Sequence, residues 1–252
     1  MSGTADPRPA RRSASAVVVG AGDYIGAEIA KKFAAEGYVV FAGRRQAEKL
    51  QPLKAEIEQA GGRIVVTGLD ARDEDQVAAF YAEAERTAPI EVSVFNVGAN
   101  VNFPLLETTS RVFRKVWEMA CYAGFLSGRE AARHMLPRRV GSIFFTGATA
   151  GLRGGKGYAA FASAKFGLRA VAQAAARELG PEGLHVAHLV IDSGVDTAWV
   201  RARIAEAAVN APPPHRVLMR PAAVAEAYWA LHQQPRDAWT FEHEIRPAGE
   251  TW

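Results

Sequence analysis

Val17-Val18-Val19-Gly20-Ala21-Gly22-Asp23-Tyr24-Ile25-Gly26 is the stretch whose reading decides the fold. A run of β-branched residues reads as a strand buried on both faces. The glycines follow at once, so the chain turns sharply where the strand ends. Ile25, Ile29 and Phe33 then recur at helical spacing, up to Glu36-Gly37. Tyr38 to Ala42 reads as a second buried strand, which completes a βαβ unit with a right-handed crossover. A glycine turn that opens a helix brings backbone N–H groups onto a phosphate, and the helix dipole favours the anion. Gly20, Gly22 and Gly26 supply that turn, with Tyr24 and Ile25 inside it. The alternative is a tight turn with no ligand.

The alternation continues outward. A helix is expected from Gln46 to Ala60, with Leu50, Leu53 and Ile57 inward, and a strand at Ile64 to Val66. Asp73 to Arg86 reads as a helix and Val92 to Phe95 as the fourth strand. A long helix spans Ser110 to Met135, and Ser142 to Phe145 is the fifth strand. A Gly-rich loop from Gly151 to Gly157 leads into a helix ending at Leu179. His185 to Ile191 is the sixth strand, Pro221 opens a last helix, and Phe241 to Ile245 adds a final strand. The expected fold is α/β, a doubly wound parallel sheet of Rossmann type in a single domain, covering residues 15–252. Residues 1–14 are expected to be a disordered tail, and residues 192–220, beyond the sixth strand, a substrate lid.

The bulk numbers exclude several classes. The 252 residues are 49% hydrophobic, enough for one sizeable core. The formal charge of +3 is spread out, and no basic cluster with interleaved aromatics marks a nucleic-acid surface. No run approaches a membrane span. The single cysteine, Cys121, rules out an internal disulfide and a cysteine-based metal site, and fits a cytoplasmic protein. No metal is expected.

The end of the second strand chooses among dinucleotides. An acidic residue there binds the adenosine 2′-OH of NAD. This chain has Gly43-Arg44-Arg45, and two guanidinium groups suit a 2′-phosphate, so NADP(H) is the expected cofactor. The structural alternative is a solvated surface pair. Asp70, past the third strand, either accepts from the adenine amino group or caps the next helix.

These features together resemble the short-chain dehydrogenase/reductase superfamily over almost the whole chain. The family's Thr-Gly-x-x-x-Gly-x-Gly turn lies on Val19 to Gly26, with Tyr24 at the middle glycine. Its Asn-Asn-Ala-Gly motif falls on Phe95-Asn96-Val97-Gly98. The resemblance implies that Asp70, Ala71, Asn96 and Gly98 line the adenine and ribose side, and that Val195 and Thr197 contact the carboxamide. Tyr24 either narrows the pyrophosphate side, packs on the lid or rests on the surface. A homodimer or homotetramer built on the fourth and fifth helices is also implied, acting on a small-molecule substrate.

The family's Tyr-x-x-x-Lys pair does the proton work, with a serine upstream and an asparagine in the long helix. Lys165 matches the lysine. Phe161 stands at the tyrosine, Ala148 at the serine and Cys121 at the asparagine. Tyr158 would share a face with Phe161 and Lys165 if the helix already includes it. Thr149 is one residue off the serine spacing, though a threonine at a strand end more often bonds its own backbone. Lys165, Tyr158 and Thr149 are therefore the catalytic candidates. The expected function is an NADP(H)-dependent oxidoreductase with an atypical site, acting on a small carbonyl, imine or enone. The alternatives are a non-redox cyclase, isomerase or lyase, and a catalytically silent NADP-binding protein. His134 and His188 read as structural.

Overall fold

The opening stretch folds as a strand, a turn and a helix: Ser15–Val19 is β1 and Ile25–Ala35 is α1. The computed structural model describes residues 11–208 and 217–250. Of the expected tail, residues 1–10 lie outside the described residues. Arg12 does not belong to a free tail. Its Nε donates to the Glu36 carbonyl, and its guanidinium lies 4.9 Å from the Tyr38 ring centroid and 5.7 Å from that of Trp229. Two aromatic faces and a carbonyl hold this residue where composition alone suggests disorder.

The remaining strands are β2 (Val39–Arg44), β3 (Arg63–Gly68), β4 (Ile90–Phe95), β5 (Ser142–Thr146), β6 (His185–Ile191) and β7 (Glu242–Ile245). They form one sheet in the order β3-β2-β1-β4-β5-β6-β7, and every neighbouring pair is parallel. The helices between them are α2 (Gln51–Gln59), α3 (Glu74–Thr87), α4 (Ser110–Trp117), α5 (Ala123–Met135) and α6 (Ala159–Leu179), with α7 (Ala198–Ala208) and α8 (Pro221–His232) towards the end. A π turn at Glu118–Tyr122 joins α4 to α5, so the expected long helix is continuous but widened around Cys121.

Both faces of the sheet are covered. Phe33, Val40, Val92, Phe144 and Tyr228 pack on one side, and Phe41, Phe80, Phe95, Phe145 and Leu168 on the other. Full burial of each such aliphatic or Phe side chain contributes about 1.5–3 kcal/mol. The inner strands therefore read as largely apolar runs, while the edge strands β3 and β7 are only partly buried, and the order reverses beside β1. A crevice opens there, at the carboxyl ends of β1 and β4. Among the described residues, no helix is long and apolar enough to cross a membrane.

Candidate functional site

The crevice is a cleft of about 870 Å³ running along the carboxyl ends of the strands. The turn after β1 forms its middle. Gly20 has φ +89°, and a Cβ there would lie 2.8 Å from the Asn96 carbonyl carbon. A Cβ on Gly26 would lie 2.3 Å from the Gly20 oxygen, so the first turn of α1 can only close over glycine. A Cβ on Gly22 or Gly98 would meet nothing, because both face open cleft. Asn96 fixes this floor: its Nδ2 donates to the Gly20 carbonyl at 3.2 Å, and its Oδ1 accepts from Thr146 at 3.1 Å. These glycines leave backbone exposed beside a helix N-terminus, which fits the pyrophosphate of a dinucleotide.

One end of the cleft is strongly charged. Arg44, Arg45, Asp70 and Ala71 all line it. Arg44 Nη1 lies 2.6 Å from Asp23 Oδ1. Asp70 is gripped by Arg72 through Nε at 2.9 Å and through its backbone N–H at 3.1 Å, which holds the carboxyl below its ordinary pKa. Of the two readings of Asp70, the helix cap goes to another residue. Asp73 accepts from the Gln76 N–H and caps α3.

The segment after β6 closes over the turn. Val195 and Thr197 line the cleft, and Val195 bridges Met219. Thr197 Oγ1 accepts from the Val200 N–H at 3.1 Å. Tyr24, which with Ile25 also lines the cleft, reaches across and accepts from the Ala198 N–H at 3.0 Å. Its phenol thus joins the glycine turn to the first residue of α7. Residues 209–216 of the expected lid lie outside the described residues.

The opposite end holds the lysine. Lys165 is 3% exposed and lines the cleft with Phe161 and Ala148. Its Nζ donates to the Thr146 carbonyl at 2.8 Å and the Val97 carbonyl at 3.5 Å. Burial lowers its pKa to about 8. Phe161 presents its ring 5.9 Å from that nitrogen. Cys121 is buried, which raises its thiol pKa.

Tyr158 and Thr149 are not among the cleft-lining residues. Tyr158 is the residue before α6, with φ −103° and ψ 20°, so it lies outside the helix, and its ring packs 6.4 Å from that of Phe161. Thr149 donates its hydroxyl to the Asp192 carboxylate instead of facing the cleft. Asp192 is buried, with Arg246 Nη2 at 3.4 Å and Arg153 Nη2 at 3.6 Å.

His188 is a feature that the strand pattern hides. Its ring is fully buried, and Nδ1 lies 3.2 Å from Glu242 Oε2, so Nδ1 carries the proton towards that acceptor. Among the described residues, Nε2 has no hydrogen-bond partner. It faces Gly147, where a Cβ would come within 2.5 Å, and Gly147 itself lines the cleft. Burial lowers the pKa of His188 to about 4, so the imidazole is neutral at neutral pH. Among the described residues, no group of three or more His, Cys, Asp or Glu is placed to hold a metal ion.

Known proteins similar to this chain share its fold. The short chain dehydrogenase family matches residues 14–207. The chain is 33% identical over 213 residues to the 3-oxoacyl-(acyl-carrier-protein) reductase MabA of Mycobacterium avium, covering 83% of this chain and 79% of that protein. A short-chain dehydrogenase from Rhodopseudomonas palustris superposes with a TM-score of 0.82 at 65% identity, over 94% of this chain and 99% of that one. A metagenomic short-chain oxidoreductase in complex with NADP superposes with a TM-score of 0.77 at 25% identity, over 94% and 98%.

Proposed function

This chain belongs to the short-chain dehydrogenase family, and on that footing we propose an NADP(H)-dependent oxidoreductase whose proton handling has left the family's tyrosine. One observation carries the reading. The glycine turn, the Arg44-Arg45 pair and Lys165 line a single continuous cleft. The backbone at Gly20, Gly22 and Gly98 would hold the pyrophosphate and ribose side, Arg44 and Arg45 would hold the 2′-phosphate, and Val195 and Thr197 would hold the carboxamide. NADP(H), when bound, supplies or accepts the hydride. The NADP held by the metagenomic relative supports the choice of cofactor.

Phe161, Ala148 and Cys121 stand where the family carries tyrosine, serine and asparagine. Lys165 keeps its place, orients the nicotinamide ribose and holds the exchangeable proton at that end. Its pKa of about 8 lets the ammonium give or regain a proton close to neutral pH. Thr149 serves by holding Asp192, and Tyr158 by packing the loop onto Phe161. The substrate class is a small carbonyl, imine or enone. The assembly is a homodimer or homotetramer, and the compartment is the cytoplasm.

The test starts with NADPH and NADH fluorescence titrations, followed by NADPH oxidation with ketone, imine and enone panels. NADPH is expected to bind more tightly than NADH, and at least one panel to be reduced. Lys165→Met is expected to lose at least about a hundredfold in turnover, the scale of acid–base assistance, while Tyr158→Phe keeps its rate. Failure of both dinucleotides to bind ends this reading. Binding without turnover of any panel moves the conclusion to a second reading, favoured by the lack of a hydroxyl at positions 161 and 148. In that reading the protein is a silent NADP-binding scaffold, or a cyclase, isomerase or lyase on the same frame.

A further inference from the structure

The charged end of the cleft is balanced in an unusual way for a site that takes a phosphate. Arg72 is committed to Asp70 by both a side-chain and a backbone bond. Arg44, at the end of β2, is paired with Asp23 at 2.6 Å, and Asp23 belongs to the glycine turn itself. Asp23, Arg44, Arg45, Asp70 and Arg72 all line this end. Two carboxylates therefore stand against three guanidinium groups before any ligand arrives.

The Asp23 side chain is 66% exposed and that of Arg44 20%. A pair this open to water is weak. Arg44 can exchange the carboxylate for another anion at little cost, but the carboxylate stays close by. A 2′-phosphate carries nearly two negative charges and would be held within a few ångströms of it. A 2′-hydroxyl carries none and offers a proton that Asp23 can accept. The same side chain thus opposes one dinucleotide and assists the other.

We propose that Asp23 sets how strongly the cleft prefers NADP(H) to NAD(H), acting as a carboxylate built into the phosphate turn that holds the preference down. The proposal rests on the cofactor reading given above. Arg44 provides the attraction for the 2′-phosphate, and Asp23 subtracts from it.

The test is a set of dissociation constants for NADPH and NADH, by fluorescence, for the wild-type protein, Asp23→Asn and Arg44→Ser. Asp23→Asn keeps the shape and removes the charge. Its NADPH constant is expected to fall about 3- to 10-fold, the scale of one solvated charge contact. Its NADH constant is expected to stay the same or rise. The gain for NADPH should shrink as NaCl goes from about 50 to about 300 mM, because screening weakens exposed charge pairs. Arg44→Ser is expected to weaken NADPH alone. Asp23 is exposed, so the thermal midpoint of Asp23→Asn should stay within a few degrees of wild type. An unchanged NADPH:NADH ratio in Asp23→Asn, or a shift of both cofactors together, overturns the proposal while leaving the cofactor reading intact. A wild-type protein that binds neither dinucleotide removes both.

Discussion

Lys165 is a buried charge with no ion-pair partner among the described residues. Among the described residues, its donors reach the carbonyl oxygens of Thr146 and Val97. Burial takes its pKa from 10.5 in water to about 8 in the folded chain. Below about pH 8 both folded and unfolded chains carry the proton, and the folded chain bears the whole cost of desolvation. Between about 8 and 10.5 the folded chain gives up its proton first, so the cost fades and this residue's contribution to stability rises with pH. Lys165→Met removes the cost altogether. At pH 7 the variant is expected to be more stable by on the order of 1–3 kcal/mol, and that gap should close towards pH 10.5. Denaturant melts at pH 7, 9 and 10.5 check this, and a gap that is flat with pH would contradict it. The lysine was legible because its spacing from position 161 belongs to a motif. His188 was not, since His-Val-Ala-His-Leu-Val-Ile reads only as a strand. Nothing along the chain says that Gly147 and Glu242 converge on its ring. Thr149 and Asp192 are likewise 43 residues apart and meet only in the fold.

At the scale of elements, the joint between the glycine turn and α7 stands out. The phenol of Tyr24 accepts from the backbone of Ala198, so the floor of the cleft and its cover share one hydrogen bond. A neutral bond of this kind is worth about 0.5–1.5 kcal/mol. Tyr24→Phe removes the oxygen and keeps the ring, and NADPH should then dissociate about 2- to 10-fold faster, with little change in its association rate. Stopped-flow displacement of NADPH by excess NADP⁺ measures this, and an unaltered dissociation rate would argue against a latch. The sequence offered packing on the lid as one of three roles for Tyr24, and a bulky residue at a glycine position was the signal. Strands β1, β2, β4 and β5 were equally readable, because burial on both faces leaves largely apolar runs. Helix starts were less so. Asp70 and Asp73 have the same capping chemistry, and only the path of the turn gives the cap to Asp73. Tyr158 was ambiguous for the same reason: one residue decides whether its side chain joins the helix face or stays outside it.

Over the whole molecule, a group of partly exposed aromatics lies on α4, α5 and α6. Trp117 stacks on Tyr122 and Tyr122 on Phe125, each with centroids 6.4 Å apart. Phe113, Trp117, Phe125 and Phe166 remain partly exposed, at 40–42%. A patch of aromatics left open to water is a candidate contact surface. Light scattering coupled to size exclusion is expected to show a dimer or tetramer. The double variant Trp117→Glu, Phe125→Glu should give a smaller species with its cofactor affinity preserved. A wild-type monomer at micromolar concentration would count against this assembly. The parallel sheet has a broader consequence. Because all seven strands of the described residues run the same way, every loop that leaves a carboxyl end opens onto one rim, while the packed faces lie elsewhere. Heredity can therefore edit the chemistry and the scaffold separately. Phe161 and Ala148 stand at that rim, so a lineage could acquire or discard a proton relay there by a few codon changes, with the architecture as a silent bystander.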